Sequence, residues 1–502
     1  MTYLNAATVA QLDPRVAVPT YDRTALNVGI VHLGVGGFHR SHQEIYLDAV
    51  AAAGATDWGV CGVGLLPQDA EARDSAHAQD GLYALTTTAP DGTHTVRVVG
   101  TLVRYLYAPD DPAAVLTVLT DPSTKIVTLT ITEGGYGIDD ATGDFSPHDE
   151  LTRLDLAGAV TPHSAFGYLA EALRLRRNRG IAPFTVLSCD NLQGNGHVAK
   201  KALVSFSRLR DAELADWIDT AVRFPCCMVD RITPVPTVET RQALHDEYGI
   251  DDRWALGSES FIQWVVEDDF PTGRPDLASV GVQLVPDVVP YELMKLRLLN
   301  AAHQAMSYPG LLEGQTWVHD VCRDPLFVNF LRRFWEQEAI PTLLPVPGVN
   351  LSVYCDQLVK RFASEAVRDT LARQVVDASD RLPKFLVPVL RHQLDSEGPI
   401  GGCVLVIAAW SLWLERGLGP DGGVITDRRA RDLLRLVAEE PARPGALLEF
   451  SPVFGELAAS ARLRGAYLAT RAALKARGPR DTIAALLRAP AEEDPGGWLT
   501  LP

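Results

Sequence analysis

The chain has 502 residues, 47% hydrophobic and 22% charged, with a formal net charge of −17. That length exceeds what one hydrophobic core supports and points to two to four domains, while the acid excess argues against nucleic acid as a partner. No apolar run reaches the ~18 residues a spanning helix needs, so no membrane partner is expected.

Taken in chain order, the opening MTYLNAATVAQLDPRV has no basic region followed by an apolar core, and cytoplasmic residence is the resulting expectation. Seven scattered cysteines, an odd number, fit reduced thiols rather than a disulfide framework. There is no CxxC and no HExxH, and His39 and His42, three residues apart, lack a clear third ligand, so no metal is expected.

The first half alternates apolar strand-like runs with helical patterns, the mark of a parallel sheet covered by helices. Its four runs are NVGIVHLGVG, WGVCGVGL, KIVTLTIT and FTVLSCDN. In open α/β sheets ligands bind beyond the carboxyl ends of the strands, which singles out Gly34 to Gly37, Asp69, Glu133 and Asn191. HLGVGGFHRSH follows a strand and opens the helical pattern HQEIYLDAVAAAG. Gly34 and Gly36 suit a tight turn and a close approach of backbone to a pyrophosphate at a helix N-terminus. His39 stands where the third glycine of GxGxxG would be, so the spacing fits both a dinucleotide turn and a plain strand-to-helix turn. Asp69, just past the second run, is placed to reach an adenosine ribose and disfavour NADP; Arg73 would act the other way, and NAD is the preferred cofactor. The arginine-rich LRLRRNRG at 173–180 reads as the solvated face and end of a helix.

From about residue 285 long helical patterns take over: VPYELMKLRLLNAAHQAM, DPLFVNFLRRFWEQEAI, GCVLVIAAWSLWLERGL and RARDLLRLVAEE, with the proline-punctuated connection PTLLPVPGVNL at 341–351. In KLRLLNAAH at roughly 100° per residue, with Lys295 at zero, Glu292 falls near 60°, His303 near 80° and Asn300 near 140°. Leucines surround the same helix, so it is buried on most of its circumference. Burying four polar groups on one side is costly unless they serve each other, as in a polar seam between helices, or a ligand.

These residues resemble the polyol-specific long-chain dehydrogenases, the mannitol dehydrogenase family. The resemblance rests on GVGGFHRSH, TITEGGY at 130–136, SCDN at 188–191, MVDRITP at 228–234, GRP at 273–275, KLRLLNAAH at 295–303, and RDTLARQ with RLPKF between 368 and 385. It implies an α/β fold: a Rossmann-type N-terminal domain with a parallel-sheet core over 1–285, then a mainly α-helical substrate-binding domain over 286–502, with the substrate between them. It also implies metal-independent oxidation of a secondary hydroxyl of a linear polyol to a ketose, and the reverse, by a chain that is a monomer. Lys295 corresponds to the general acid/base, Asn191 and Asn300 to donors on the reacting oxygen, and Asp230, His303, Arg373 and Arg381 to substrate-hydroxyl contacts. Glu292 is placed to pass a proton outward. The expected cofactor set is Gly34, Gly36, Gly37, Phe38, Arg40, Asp69 and Glu133.

Elementary chemistry supports these roles. An exposed lysine of pKa ~10.4 is too strong a base to be neutral at working pH, and burial lowers it. Two neutral carboxamides stabilise a growing oxyanion without titrating, the task zinc performs in other alcohol dehydrogenases. The chain departs from the family pattern at Arg381, where lysine is common, and in RFASE, where RFSNP is usual. Ketouronate reductases share the lysine and asparagines, and Arg373 with Arg381 would suit a carboxylate. D-Arabinitol and D-sorbitol dehydrogenation also fit, whereas a catalytically dead sensor would be expected to lose Lys295 or an asparagine.

Overall fold

The computed structural model describes residues 2–139, 142–365, 368–419 and 424–490. The chain divides into two compact units, Met1–Val289 and Pro290–Pro502.

The first unit is built on five strands: β1 (Val28–Leu33), β2 (Gly59–Gly64), β3 (Leu102–Tyr107), β4 (Ile126–Leu129) and β5 (Thr185–Ser188). Their spatial order is β3-β2-β1-β4-β5 with every pairing parallel. That is the order of a doubly wound dinucleotide fold, whose switch point lies beside the first strand. Parallel strands covered on both faces need apolar side chains on both, which is why β1, β2, β4 and β5 read as continuous hydrophobic runs. Val31, Leu33, Val63, Val127 and Val186 pack on one side against Phe166, Leu169, Leu203 and Phe206. Ile30, Val60, Ile126 and Leu187 pack on the other against Tyr46, Leu47, Trp254 and Trp264. A second sheet joins β6 (Cys227–Asp230), β7 (Gln263–Glu267) and β8 (Gln283–Val285), with β7 antiparallel to β6 and parallel to β8. A hairpin of Tyr83–Thr88 and His94–Val99 takes Leu256–Glu259 as a third, parallel strand.

The second unit is helical among its described residues. One long helix runs as α1 (Val289–Met294), a π-helical turn (Lys295–Asn300) and α2 (Ala301–Leu312). Next come α3 (Pro325–Phe334), which also ends in a π-helical turn (Trp335–Ala339), then α4 (Leu351–Phe362), α5 (Gly401–Arg416) and α6 (Ala461–Arg488). Helix α5 is apolar around its circumference because it is the centre of the unit, packed against both α2 and α6.

Two details differ from the sequence expectations. Arg176, in the arginine-rich stretch, is buried: its guanidinium donates to the carbonyls of Leu119, Asp121 and Ala182, while Arg177 and Arg179 are exposed as expected. The helix after the glycine turn is two pieces, Gly37–Ser41 and Gln43–Ala52, broken at His42. Among the described residues no helix is long and apolar enough to cross a membrane.

Candidate active site

The glycine turn leaves β1 under tight constraint. Gly34 has φ +91°, and a Cβ there would lie 2.2 Å from the Thr130 carbonyl oxygen, so no side chain fits. At Gly36 and Gly37 a Cβ would meet nothing nearer than 3.9 and 3.8 Å, which leaves bare backbone of the kind a pyrophosphate approaches. Beneath the turn, the Thr130 hydroxyl donates to Gly34 O at 2.6 Å, and His32 Nε2 lies 2.8 Å from that hydroxyl. His39, in the third-glycine position, stacks on His32 with ring centroids 3.4 Å apart. Burial pushes His32 down to about 3 and His39 well below its ordinary value, so both rings are neutral. Phe38 stacks on His42 at 4.9 Å.

The side chain of Arg40, a residue expected to hold cofactor, is buried: its guanidinium lies 4.3 Å from the Trp254 ring centroid and 5.1 Å from that of Tyr83 and donates to Trp254 O. A buried cation stacked on two aromatic rings is a packing element.

Asp69 Oδ2 accepts the backbone N–H groups of Leu65 and Leu66, each at 2.9 Å, and so shapes the turn at the end of β2. Arg73 is held by Asp74 and Asp110 at 2.8 and 2.6 Å, so its charge is already paired. Beyond β4 and β5, the Asp190 carboxylate accepts Ile131 N–H at 3.0 Å, Thr132 N–H at 2.9 Å and the Tyr136 hydroxyl at 2.6 Å. It thereby ties the two strand ends together and holds Thr132 at φ +64°, a strained backbone for a threonine. Its exposed neighbours are Glu133 and Asn191, on the two segments so joined. The sequence reading passed over Asp190, although SCDN contains it. Asp230 ends β6 and is buried, while the next residue, Arg231, gives its guanidinium to the carbonyls of Ser41 and Glu259.

In the second unit Glu292, Lys295, Asn300 and His303 are all buried, at 4, 8, 9 and 8% exposure. The π-helical turn changes their geometry. Ala301 N–H bonds Leu296 O, five residues back, and the wider turn swings Asn300 toward Lys295 from the 140° or so that α-helical spacing implies. Asn300 Nδ2, His303 Nε2 and Ser307 Oγ are buried without a hydrogen-bond partner among the described residues. Ser307 was missed, although its spacing of four from His303 and seven from Asn300 is the signal that would have found it.

His303 packs on Phe362 with centroids 4.6 Å apart, and burial pushes it down to about 4, helped by the positive charges of Arg373, Arg361 and Arg381 and opposed by Asp369. It is a neutral hydrogen-bonding ring. Arg373 is paired to Asp369, and Arg381 donates to Gln374 O at 3.0 Å. Among the described residues no group of three His, Cys, Asp or Glu side chains is placed to hold a metal.

The Rossmann-domain model of mannitol dehydrogenases matches residues 28–279, and the model of their C-terminal domain matches residues 287–473. The chain belongs to the mannitol dehydrogenase family. Among this family, it is 40% identical over 459 residues to a mannitol 2-dehydrogenase of Phaeosphaeria nodorum, covering 90% of this chain and 80% of that protein. It is 42% identical to the Pseudomonas fluorescens mannitol 2-dehydrogenase solved in ternary complex with NAD and D-mannitol, with a TM-score of 0.87 over 97% of this chain and 100% of that one. A D-sorbitol dehydrogenase solved without substrate is 36% identical, with a TM-score of 0.89 over 96% of this chain and 100% of that one. The α/β N-terminal fold and the helical C-terminal fold are therefore those of the family.

Proposed function

We propose that this chain interconverts D-mannitol and D-fructose with NAD, without a metal, using Lys295 as general acid/base. As a member of its family it is an NAD-dependent polyol dehydrogenase. The observation that carries the finer reading is the helix bearing Lys295: it buries the Asn300 carboxamide N–H and the neutral His303 ring with hydrogen-bonding capacity unspent. Buried polar atoms of this kind are satisfied by a ligand or by water, and a polyol supplies a row of hydroxyls.

In oxidation, Lys295 in its neutral form takes the proton of the reacting hydroxyl. The dinucleotide, held by Gly34, Gly36, Gly37 and Phe38 with Asp69 toward the ribose, supplies the hydride acceptor. Asn300 and Asn191 donate to the oxygen as charge grows on it. His303 and Asp230 hold neighbouring hydroxyls, and Arg373 and Arg381 donate to the far end of the chain. Glu292, three residues before Lys295, takes the proton onward, with Glu133 on the same route or beside the nicotinamide. Arg73, neutralised by Asp74 and Asp110, offers no spare charge to a 2′-phosphate, which supports NAD over NADP. The reading includes a monomeric, cytoplasmic enzyme.

The test is NADH oxidation by purified enzyme with EDTA present, comparing D-fructose with D-fructuronate at equal concentrations. Faster turnover of fructose is expected; faster turnover of fructuronate, or loss of activity to EDTA, would overturn the reading. The likeness to a D-sorbitol dehydrogenase makes D-sorbitol the second reading, separated by comparing it with D-mannitol in the oxidative direction.

A further inference from the structure

The turn that carries Lys295 and Asn300 is gripped from outside its own helix by the segment 335–342. Trp335 Nε1 donates to the Leu298 carbonyl at 2.9 Å, with both residues fully buried. One residue earlier in the turn, Arg297 gives its guanidinium to the Thr342 carbonyl and, at 2.9 Å, to the Thr342 hydroxyl. The gripping segment is itself anchored. The Glu338 carboxylate accepts Gly402 N–H at 2.5 Å and Cys403 N–H at 2.8 Å at the start of α5, and Gln393 donates to Glu338 O at 2.6 Å. Such pairing is not automatic for a buried tryptophan: Trp410, also in this unit, has an indole N–H with no partner among the described residues.

A π-helical turn trades regular i→i+4 bonding for a wider loop of backbone and persists where surrounding contacts favour it. The Trp335–Leu298 bond is such a contact. Without it the buried Leu298 carbonyl loses the indole donor, and relaxation toward α-helical spacing becomes favourable, swinging Asn300 away from Lys295.

We propose that Trp335 is a positioning residue for the reaction: through the Leu298 carbonyl it sets the relative placement of Lys295 and Asn300. This rests on the reading of Lys295 as the acid/base, so Lys295→Ala is measured in parallel. The cleanest variant carries 3-benzothienylalanine at position 335, which keeps the two-ring shape and removes only the N–H. Trp335→Phe is its coded counterpart, and Trp410→Phe controls for losing an indole elsewhere in the unit.

Steady-state kinetics of polyol oxidation over a pH range are read beside NADH affinity by fluorescence titration and the melting temperature. The expected result at position 335 is a fall in kcat of roughly tenfold or more, with the pH dependence of kcat displaced and NADH affinity retained. Trp410→Phe is expected to lower the melting temperature and leave kcat and its pH profile alone. Wild-type kcat and pH profile in the benzothienylalanine enzyme, with Lys295→Ala inactive, would overturn the positioning role and leave the lysine's intact. Full activity of Lys295→Ala would overturn both.

Discussion

Asp369 holds Arg373 through two parallel hydrogen bonds of 2.7 Å, Nε to Oδ1 and Nη2 to Oδ2. Although burial works to raise it, the Arg373 guanidinium keeps the Asp369 carboxyl below its ordinary range, so the pair is an ion pair at neutral pH. This fork leaves Arg373 able to donate to a hydroxyl but cancels much of the charge a carboxylate substrate would seek. Asp369→Asn should therefore raise the kcat/KM ratio of D-fructuronate to D-fructose by about tenfold, the equivalent of ~1.4 kcal/mol. A ratio that stays put would show that Arg373 does not face the substrate end that differs between the two.

Asp69, which we propose to govern cofactor choice, braces Leu65 and Leu66. Asp69→Asn keeps an acceptor for those amides and removes the charge. Use of NADP relative to NAD should rise several-fold, by relief of repulsion with the 2′-phosphate. Should the ratio be unchanged and only stability suffer, Asp69 would be a turn residue alone.

Buried Glu44 gives the fold a pH dependence. Burial pushes its carboxyl up to about 8 from 4.5, against the Thr101 hydroxyl that donates to it. With the folded value above the unfolded one, its contribution to stability is complete below the unfolded value and is lost as pH rises through about 8. The melting temperature should thus lose ground from about pH 5 to pH 8, and Glu44→Gln should flatten that slope. Equal slopes in the two proteins would count against the burial argument.

Gly34→Ala should abolish dinucleotide binding and lower stability by about 2–4 kcal/mol, since both its positive φ and the 2.2 Å approach to Thr130 O forbid a Cβ. Denaturant unfolding and NADH titration would read the two effects; normal binding would mean that the turn rearranges freely.

What could be read from the sequence followed from burial and periodicity. β1, β2, β4 and β5 stand out because covered parallel strands are apolar throughout. The edge strand β3 escaped, since exposed Arg104 interrupts its run. The lysine helix was recognisable from polar groups sharing one side of a leucine-rich pattern. Its π-helical turn was not, because it depends on partners such as Trp335 that only folding brings near. The burial of the Arg40 guanidinium was hidden for the same reason: the ring and carbonyl of Trp254 that hold it lie 214 residues away in sequence.

The most direct measurement is the rate of D-mannitol oxidation by Lys295→Ala at neutral pH, with and without an added primary amine, alongside NADH binding. Loss of turnover by about 10²–10⁴-fold is expected, with unchanged NADH affinity and partial recovery by the amine. Undiminished turnover in the variant would contradict the assignment of Lys295 as the acid/base.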